Sequence, residues 1–246
     1  MVPSSSVVPV DEVRQVSVFA PGTATERPPI VVLHGTGGRE THLMPFAEEI
    51  APGSARLGIR GTVEIDGGYA FFRRYPDRRV DEADLAQRVP ALASSIGNLL
   101  GQHRIHRRPI VVGFSNGAIA AAALLLTVPD LCAGAVLLRP LPPFQTDLKI
   151  ILDVPSPDGP PPAQAHTRLG NTPVLIIDAQ YDDRRLPDDG QRAAEQLRRA
   201  GAQVTRRVKP GGHAFTGEDA EITRRWLESV QIERSHRVDD GAARAR

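Results

Sequence analysis

Residues 109–118 read Pro109-Ile110-Val111-Val112-Gly113-Phe114-Ser115-Asn116-Gly117-Ala118, and Ile119-Ala120-Ala121-Ala122-Ala123-Leu124-Leu125-Leu126 follows without a break. An apolar run, a Gly-x-Ser-x-Gly corner and a stretch of small helix formers make a strand, a tight turn and a helix. So sharp a turn holds Ser115 in a strained backbone conformation and leaves its hydroxyl exposed above the sheet edge. Gly113 and Gly117 stand two residues either side of it, where a side chain would collide with the neighbouring strand or helix. The five-residue pattern alone is common by chance. Between a β run and an α run it marks a nucleophile elbow, the competing reading being an ordinary βα turn with an incidental serine.

Working outward, strand and helix signals alternate along the chain. Residues 13–19 alternate apolar and polar, as an antiparallel edge strand does, whereas Ile30-Val31-Val32-Leu33 is continuously apolar, as a strand covered on both faces is. Leu43, Phe46, Ala47 and Ile50 follow at helical spacing, and Pro52-Gly53 closes that helix. A short strand is expected at 55–59, then a glycine-rich aromatic loop over 67–79. Asp81 caps the next helix, with Leu85, Val89, Leu92, Ile96 and Leu99 on one stripe and Pro90 predicting a kink or a late start. Further buried strands are expected at 133–138 and 173–177, an edge strand at 203–208, and helices at 188–200 and after Thr216-Gly217-Glu218-Asp219. The proline-rich stretch 140–172 holds a possible short strand at 149–154 and does not call for a cap domain. This alternation predicts an α/β fold, a mostly parallel central sheet with helices on both faces. Residues 13–232 form a single domain in this reading, between a flexible tail at 1–12 and a disordered one at 233–246.

Bulk properties exclude several functions. The 246 residues suffice for one sizeable domain, with 41% hydrophobic and 24% charged residues. Thirty basic against twenty-nine acidic residues leave a net charge of +1, so there is no basic stripe for nucleic acid. Cys132 is the single cysteine, which excludes an internal disulfide and a cysteine-rich metal site; a small buried hydrophobe is its expected role. No apolar stretch approaches a membrane span, and the first residues lack the basic region of a signal peptide, so the expectation is a cytoplasmic protein without a membrane partner.

A serine hydroxyl needs a base to take its proton. Of seven histidines, His103 and His106 sit among arginines at a helix end, His166 lies in the proline-rich loop and His236 in the tail. His213 follows Gly211-Gly212 directly beyond the 203–208 strand, where a loop can turn an imidazole over the sheet edge. A base in turn needs a carboxylate to orient it. The strand ending at Ile177 delivers Asp178, then Asp182 and Asp183, of which the last two lie on a loop able to reach His213. Serine, then aspartate, then histidine is the chain order associated with α/β-hydrolases. Two backbone N–H groups should stabilise the oxyanion: that of Asn116, next to the nucleophile, and one from His34-Gly35-Thr36-Gly37-Gly38, with Thr36 the first choice. His34 then reads as a structural hydrogen-bonding residue. The glycine loop fits no phosphate-binding spacing, and no His, Asp and Glu cluster has metal-ligand spacing.

With these motifs in view, the chain resembles the phospholipase/carboxylesterase family of α/β-hydrolases, and among them the bacterial carboxylesterases associated with methylhydroquinone degradation. The resemblance spans about 30–226. It rests on His34-Gly35-Thr36-Gly37-Gly38, on Phe71-Phe72-Arg73-Arg74 with Asp81-Glu82-Ala83-Asp84-Leu85, on the elbow, on Gly134-Ala135-Val136-Leu137-Leu138-Arg139-Pro140 and on Pro210-Gly211-Gly212-His213. It implies a serine carboxylester hydrolase with no cofactor, little or no lid, and small or medium acyl esters as substrates. The family pattern Gly-x-x-Asp is altered here to Ala179-Gln180-Tyr181-Asp182, with Asp183 adjacent. Counting from the strand selects Asp182; counting back from Pro187 selects Asp183. Asp182 is preferred because the strand fixes the start of the loop more firmly than the proline fixes its end. Phe71, Phe72 and Arg73 are candidates for the substrate pocket, against the alternative that the aromatics pack under a loop with the arginines solvated. A thioesterase or a dienelactone-type hydrolase would use the same triad, and a non-catalytic binding protein could share the fold. The partners expected are a small-molecule ester and, in a homodimer as opposed to a monomer, a second copy of the chain.

Overall fold

Apolar runs long enough to be covered on both faces lie side by side at the centre of the molecule. The computed structural model describes residues 15–145 and 169–244, with side chains as far as Val230. The expected 149–154 strand, the flexible tail at 1–12 and His166 fall outside the described residues. Seven strands form the main sheet: β1 (Ser17–Ala20), β2 (Ile30–Leu33), β3 (Arg56–Ile59), β6 (Ile110–Phe114), β7 (Gly134–Leu138), β8 (Pro173–Ala179) and β9 (Gln203–Lys209). Their order is β1-β3-β2-β6-β7-β8-β9, and every pairing is parallel except that of β1 with β3. β4 (Val63–Ile65) and β5 (Gly68–Ala70) make a separate antiparallel hairpin, whose second strand lies inside the 67–79 stretch expected to be loop. Asp66-Gly67 supplies its turn, with Gly67 at φ +83°.

Helices cover both faces. On one side lie α2 (Glu82–Gln102), α3 (Asn116–Thr127) and α4 (Asp189–Arg199), over Val31, Leu33, Val111, Leu137 and Ile176. On the other lie α1 (Met44–Ile50) and α5 (Gly217–Arg244), whose Trp226 and Leu227 pack with Val32, Val112, Leu138 and Ile177. Alternate residues of one strand thus feed opposite cores, which is why these strands are apolar throughout. α3 is buried from Asn116 to Leu126. Its alanines bring the helix close to the sheet, and a larger residue at Ala121 would overpack it at a cost of about 1–3 kcal/mol.

One local expectation is corrected. α2 begins at Glu82, where Asp81 accepts the Asp84 N–H (3.1 Å), and runs through Pro90 to Gln102, so there is no late start. Pro90 is exposed, leaving the carbonyl it cannot bond on the side where water can take it. α5 continues past Leu227 as far as Arg244. Once the packed turns around Trp226 have nucleated that helix, the alanines, arginines and glutamate beyond propagate it without a proline to stop them. Among the described residues no helix is long and apolar enough to cross a membrane.

Candidate active site

The sheet reverses its winding at β2 and β6: the chain steps from β2 to β3, which slots between β2 and β1, then returns to lay β6 on the other side of β2. Ligand sites of open α/β sheets form at such a reversal, beyond the carboxyl ends of the strands. Ser115 stands there at the corner between β6 and α3, with φ +53° and ψ −107°, outside the regions open to most side chains. Its N–H bonds the Leu138 carbonyl (2.9 Å) and its carbonyl accepts from Ile119 (3.2 Å), so two elements hold the strain in place. A Cβ on Gly113 would strike the Gly117 carbonyl, and one on Gly117 the Leu33 carbonyl. Both glycines are therefore demanded by close approach, as the elbow reading requires.

Three loops converge on that serine. His213, in the turn after β9, places Nε2 2.9 Å from Ser115 Oγ, and Nδ1 2.9 and 2.8 Å from the Asp182 carboxylate oxygens. A carboxylate only accepts, so Nδ1 carries the proton and Nε2 is left to receive the serine hydroxyl. Asp182 is itself steadied by the Arg184 N–H (2.9 Å), while Asp183 is exposed. Burial pulls the His213 pKa below its ordinary 6.5; the Asp182 hydrogen bond and charge oppose this, and the Arg185 and Arg184 charges add to it. Asp178 turns away to Arg206 of β9 (2.5 Å).

Thr36 sits in the loop leaving β2, beside β6. That loop is pinned by the β4–β5 hairpin: Gly37 N–H bonds Tyr69 O (2.9 Å) and Tyr69 N–H bonds Gly38 O (3.2 Å). His34 fastens its other end. Its Nδ1–H donates to Gly35 O (2.7 Å) and its Nε2 accepts from Gly61 N–H (2.9 Å), which uses both ring nitrogens on backbone. Burial depresses its pKa to about 4. Asn116 is the first residue of α3, and its side chain is taken: Oδ1 accepts from Phe71 N–H (2.7 Å) and Nδ2 donates to Phe72 O (3.5 Å).

That clamp decides where the aromatics go. Phe71 and Phe72 are 4% and 1% exposed and belong to the core cluster that includes Leu33, Val111 and Ile119. Arg73 is largely exposed beside Asp84. The ring that does stand by the base is Phe114, 5.2 Å from the His213 ring and edge-on to Phe215.

Two arginines escaped sequence reasoning. Arg139, at the end of β7 with φ +55°, is fully buried and pairs with fully buried Asp219 through Nη1 (2.7 Å) and Nη2 (3.1 Å). It also donates to Ile177 O (3.1 Å) and to Ala214 O (3.3 Å), next to His213. Asp219 in turn accepts the Thr216 N–H (2.8 Å) at the start of α5. This node joins β7, β8, α5 and the histidine loop. Arg185 donates through Nε to the Arg139 carbonyl (2.8 Å) and through Nη2 to Ser115 Oγ (3.0 Å). The only sequence signal was Arg139 itself, a charge ending an apolar strand run.

Comparison with known proteins agrees with this architecture. No protein-family model matches the chain. Over 204 residues, 82% of the chain and 94% of the relative, it is 33% identical to MhqD of Bacillus subtilis (strain 168), whose name designates a hydrolase. It belongs to the phospholipase/carboxylesterase-type α/β-hydrolases. Among solved structures, a carboxylesterase of Bacillus cereus is similar at 29% identity and a TM-score of 0.76, covering 89% of this chain and 95% of that one. A carboxylesterase from Mesorhizobium loti is similar at 28% identity and a TM-score of 0.69, covering 82% and 88%. Membership of this family makes the protein a hydrolase of the esterase type.

Proposed function

We propose that the protein is a serine carboxylester hydrolase that works through an acyl-enzyme on Ser115. The observation that carries this reading is His213, whose two ring nitrogens reach Ser115 Oγ and the Asp182 carboxylate at once. As Oγ attacks the ester carbonyl, its proton passes to His213 Nε2, a carbon–oxygen bond forms and the carbonyl oxygen becomes an oxyanion. Asp182 holds the Nδ1 proton and stabilises the imidazolium without taking that proton. The backbone N–H groups of Asn116 and Thr36 receive the oxyanion. On collapse the ester carbon–oxygen bond breaks and His213 returns the proton to the departing alkoxide. Water then repeats the sequence: His213 takes its proton, hydroxide attacks the acyl carbon, and the acid leaves as Ser115 is reprotonated.

Small or medium acyl esters are the substrates of this reading. A fluorophosphonate probe should label the protein and fail to label Ser115→Ala, and a p-nitrophenyl ester series of graded acyl length should be hydrolysed. Absence of labelling together with no turnover at any length would return the protein to a binding role.

A further inference from the structure

Arg185, which reaches Ser115, and Arg74, whose charge acts on Arg185, are cations that the fold leaves without an ion-pair partner among the described residues. Arg185 spends Nε and Nη1 on backbone carbonyls, of Arg139 (2.8 Å) and Arg184 (2.9 Å), and aims Nη2 at Ser115 Oγ (3.0 Å). Arg74 has Nε and Nη2 shut off from solvent with no hydrogen-bond partner among the described residues. Neither forms an ion pair among the described residues, although Asp189 lies near both. Its oxygens are occupied, Oδ2 by the Leu186 N–H (2.8 Å) and Oδ1 by Arg192 Nη2 (2.6 Å). Burial lowers the pKa of both arginines, that of Arg185 to about 10, with the charge of Arg74 contributing. A shielded guanidinium with unmet donors is expensive to maintain, and such a cost is ordinarily offset by a ligand.

We propose that Arg74 and Arg185 form a carboxylate-binding subsite against Ser115, and that the preferred substrates are esters bearing a carboxylate a short chain from the scissile carbonyl. The inference rests on the esterase reading above and narrows its substrate class. Planar guanidinium forks match the planar carboxylate. A single negative charge suits the site, because Asp182 and Asp189 already offset part of the positive field there. Arg185 touches Oγ, so the ligand carboxylate must sit near the reacting centre and not at the end of a long chain.

The test compares esters matched in size and differing in charge. On the acyl side these are mono-p-nitrophenyl glutarate and p-nitrophenyl valerate; on the alcohol side, 4-acetoxybenzoate and p-tolyl acetate. Wild type should favour the carboxylate member of one pair by about tenfold or more in kcat/KM, the scale of a hydrogen bond to a charged group. Arg74→Met should erase most of that ratio, chiefly through KM, and Arg74→Lys should restore part of it. Glutarate should also inhibit wild type at concentrations where valerate does not, a result that needs no variant to fold. Equal rates within both pairs, equal inhibition by the two acids, or a ratio untouched by Arg74→Met would overturn the subsite. If neutral esters are hydrolysed and Ser115 takes the fluorophosphonate while selectivity is absent, the subsite alone fails. If neither labelling nor turnover is seen, the esterase reading fails with it.

Discussion

His34 and His213 occupy matching positions, each in a loop leaving the carboxyl end of a parallel strand and each with both ring nitrogens hydrogen-bonded. Burial lowers the pKa of both. They differ in what they hold. His34 bonds only backbone and is itself the anchor of its loop, tying β2 to the turn after β3. His213 bonds two side chains, and its loop is anchored elsewhere, by Arg139 donating to Ala214 O from the buried pair with Asp219. Delegating the anchoring to an arginine frees an imidazole to exchange protons. A histidine that must serve as the strut cannot do so without letting go of its loop.

The strongest way to break this comparison is to remove His213 or one of its two side-chain partners. Ser115→Ala and His213→Ala should each lower kcat/KM by about 10⁴-fold or more, and Asp182→Asn by about 10³–10⁴-fold, since triad members act as a unit. Asp183→Ala, at an exposed position, should stay within a few-fold of wild type. Steady-state hydrolysis of a p-nitrophenyl ester measures all four, and an Asp183 effect exceeding that of Asp182 would reverse the assignment.

Next in size is the anchor. Arg139→Met removes the bidentate partner of the buried Asp219 carboxylate and leaves it only the more distant Lys209 ammonium (3.7 Å), which should destabilise the fold by about 3 kcal/mol. Urea unfolding reads this directly. A loss below about 1 kcal/mol would mean that the pair does not carry the histidine loop.

Much of this site was legible before any coordinates. The elbow could be read because its chemistry imposes glycine at two contact points, and those contacts are local. Asp182 and His213 could be read because strand ends fix where loops begin. Arg139 and Arg185 could not, because their partners lie 80 and 70 residues away and nothing near them in sequence announces Asp219 or Ser115. The β4–β5 hairpin had a signal, Asp66-Gly67, but three-residue strands are too short to show alternation. Phe71 and Phe72 looked like pocket walls because aromatics after a glycine loop suit either role. The structure adds that Asn116 holds the Phe71 backbone and that both rings are buried.

A smaller effect sharpens the strut. His34 has a folded pKa of about 4 against an ordinary 6.5, so the neutral form is favoured in the native state. Its contribution is complete above 6.5, where both states are neutral. It is lost as pH falls from there towards 4, because the unfolded chain protonates first. The full difference is about 3 kcal/mol. Urea midpoints at pH 7 and near 4.5 should fall further for wild type than for His34→Gln, which keeps a donor and an acceptor but does not titrate. Parallel losses would show that this imidazole is not what the acid unfolds.

The finest test is the pH dependence of the reaction. If His213 is the base of the proposed mechanism, kcat/KM requires its neutral form in the free enzyme and should rise with pH through a midpoint below the ordinary 6.5, in the direction burial sets. The carboxylate of Asp182 opposes that shift, so the residual activity of Asp182→Asn should have its acid limb at lower pH than wild type. The positive charge of Arg184 adds to the shift, so Arg184→Gln should move the limb to higher pH. Opposite displacements from two neighbours on one loop are hard to obtain from a general loss of structure, which would move both variants together. If both limbs move the same way, or neither moves, the rate is not reporting the His213 proton. His34 would then have to be considered as the titrating group, although both its nitrogens are committed to backbone and its own pKa of about 4 would place the limb lower still.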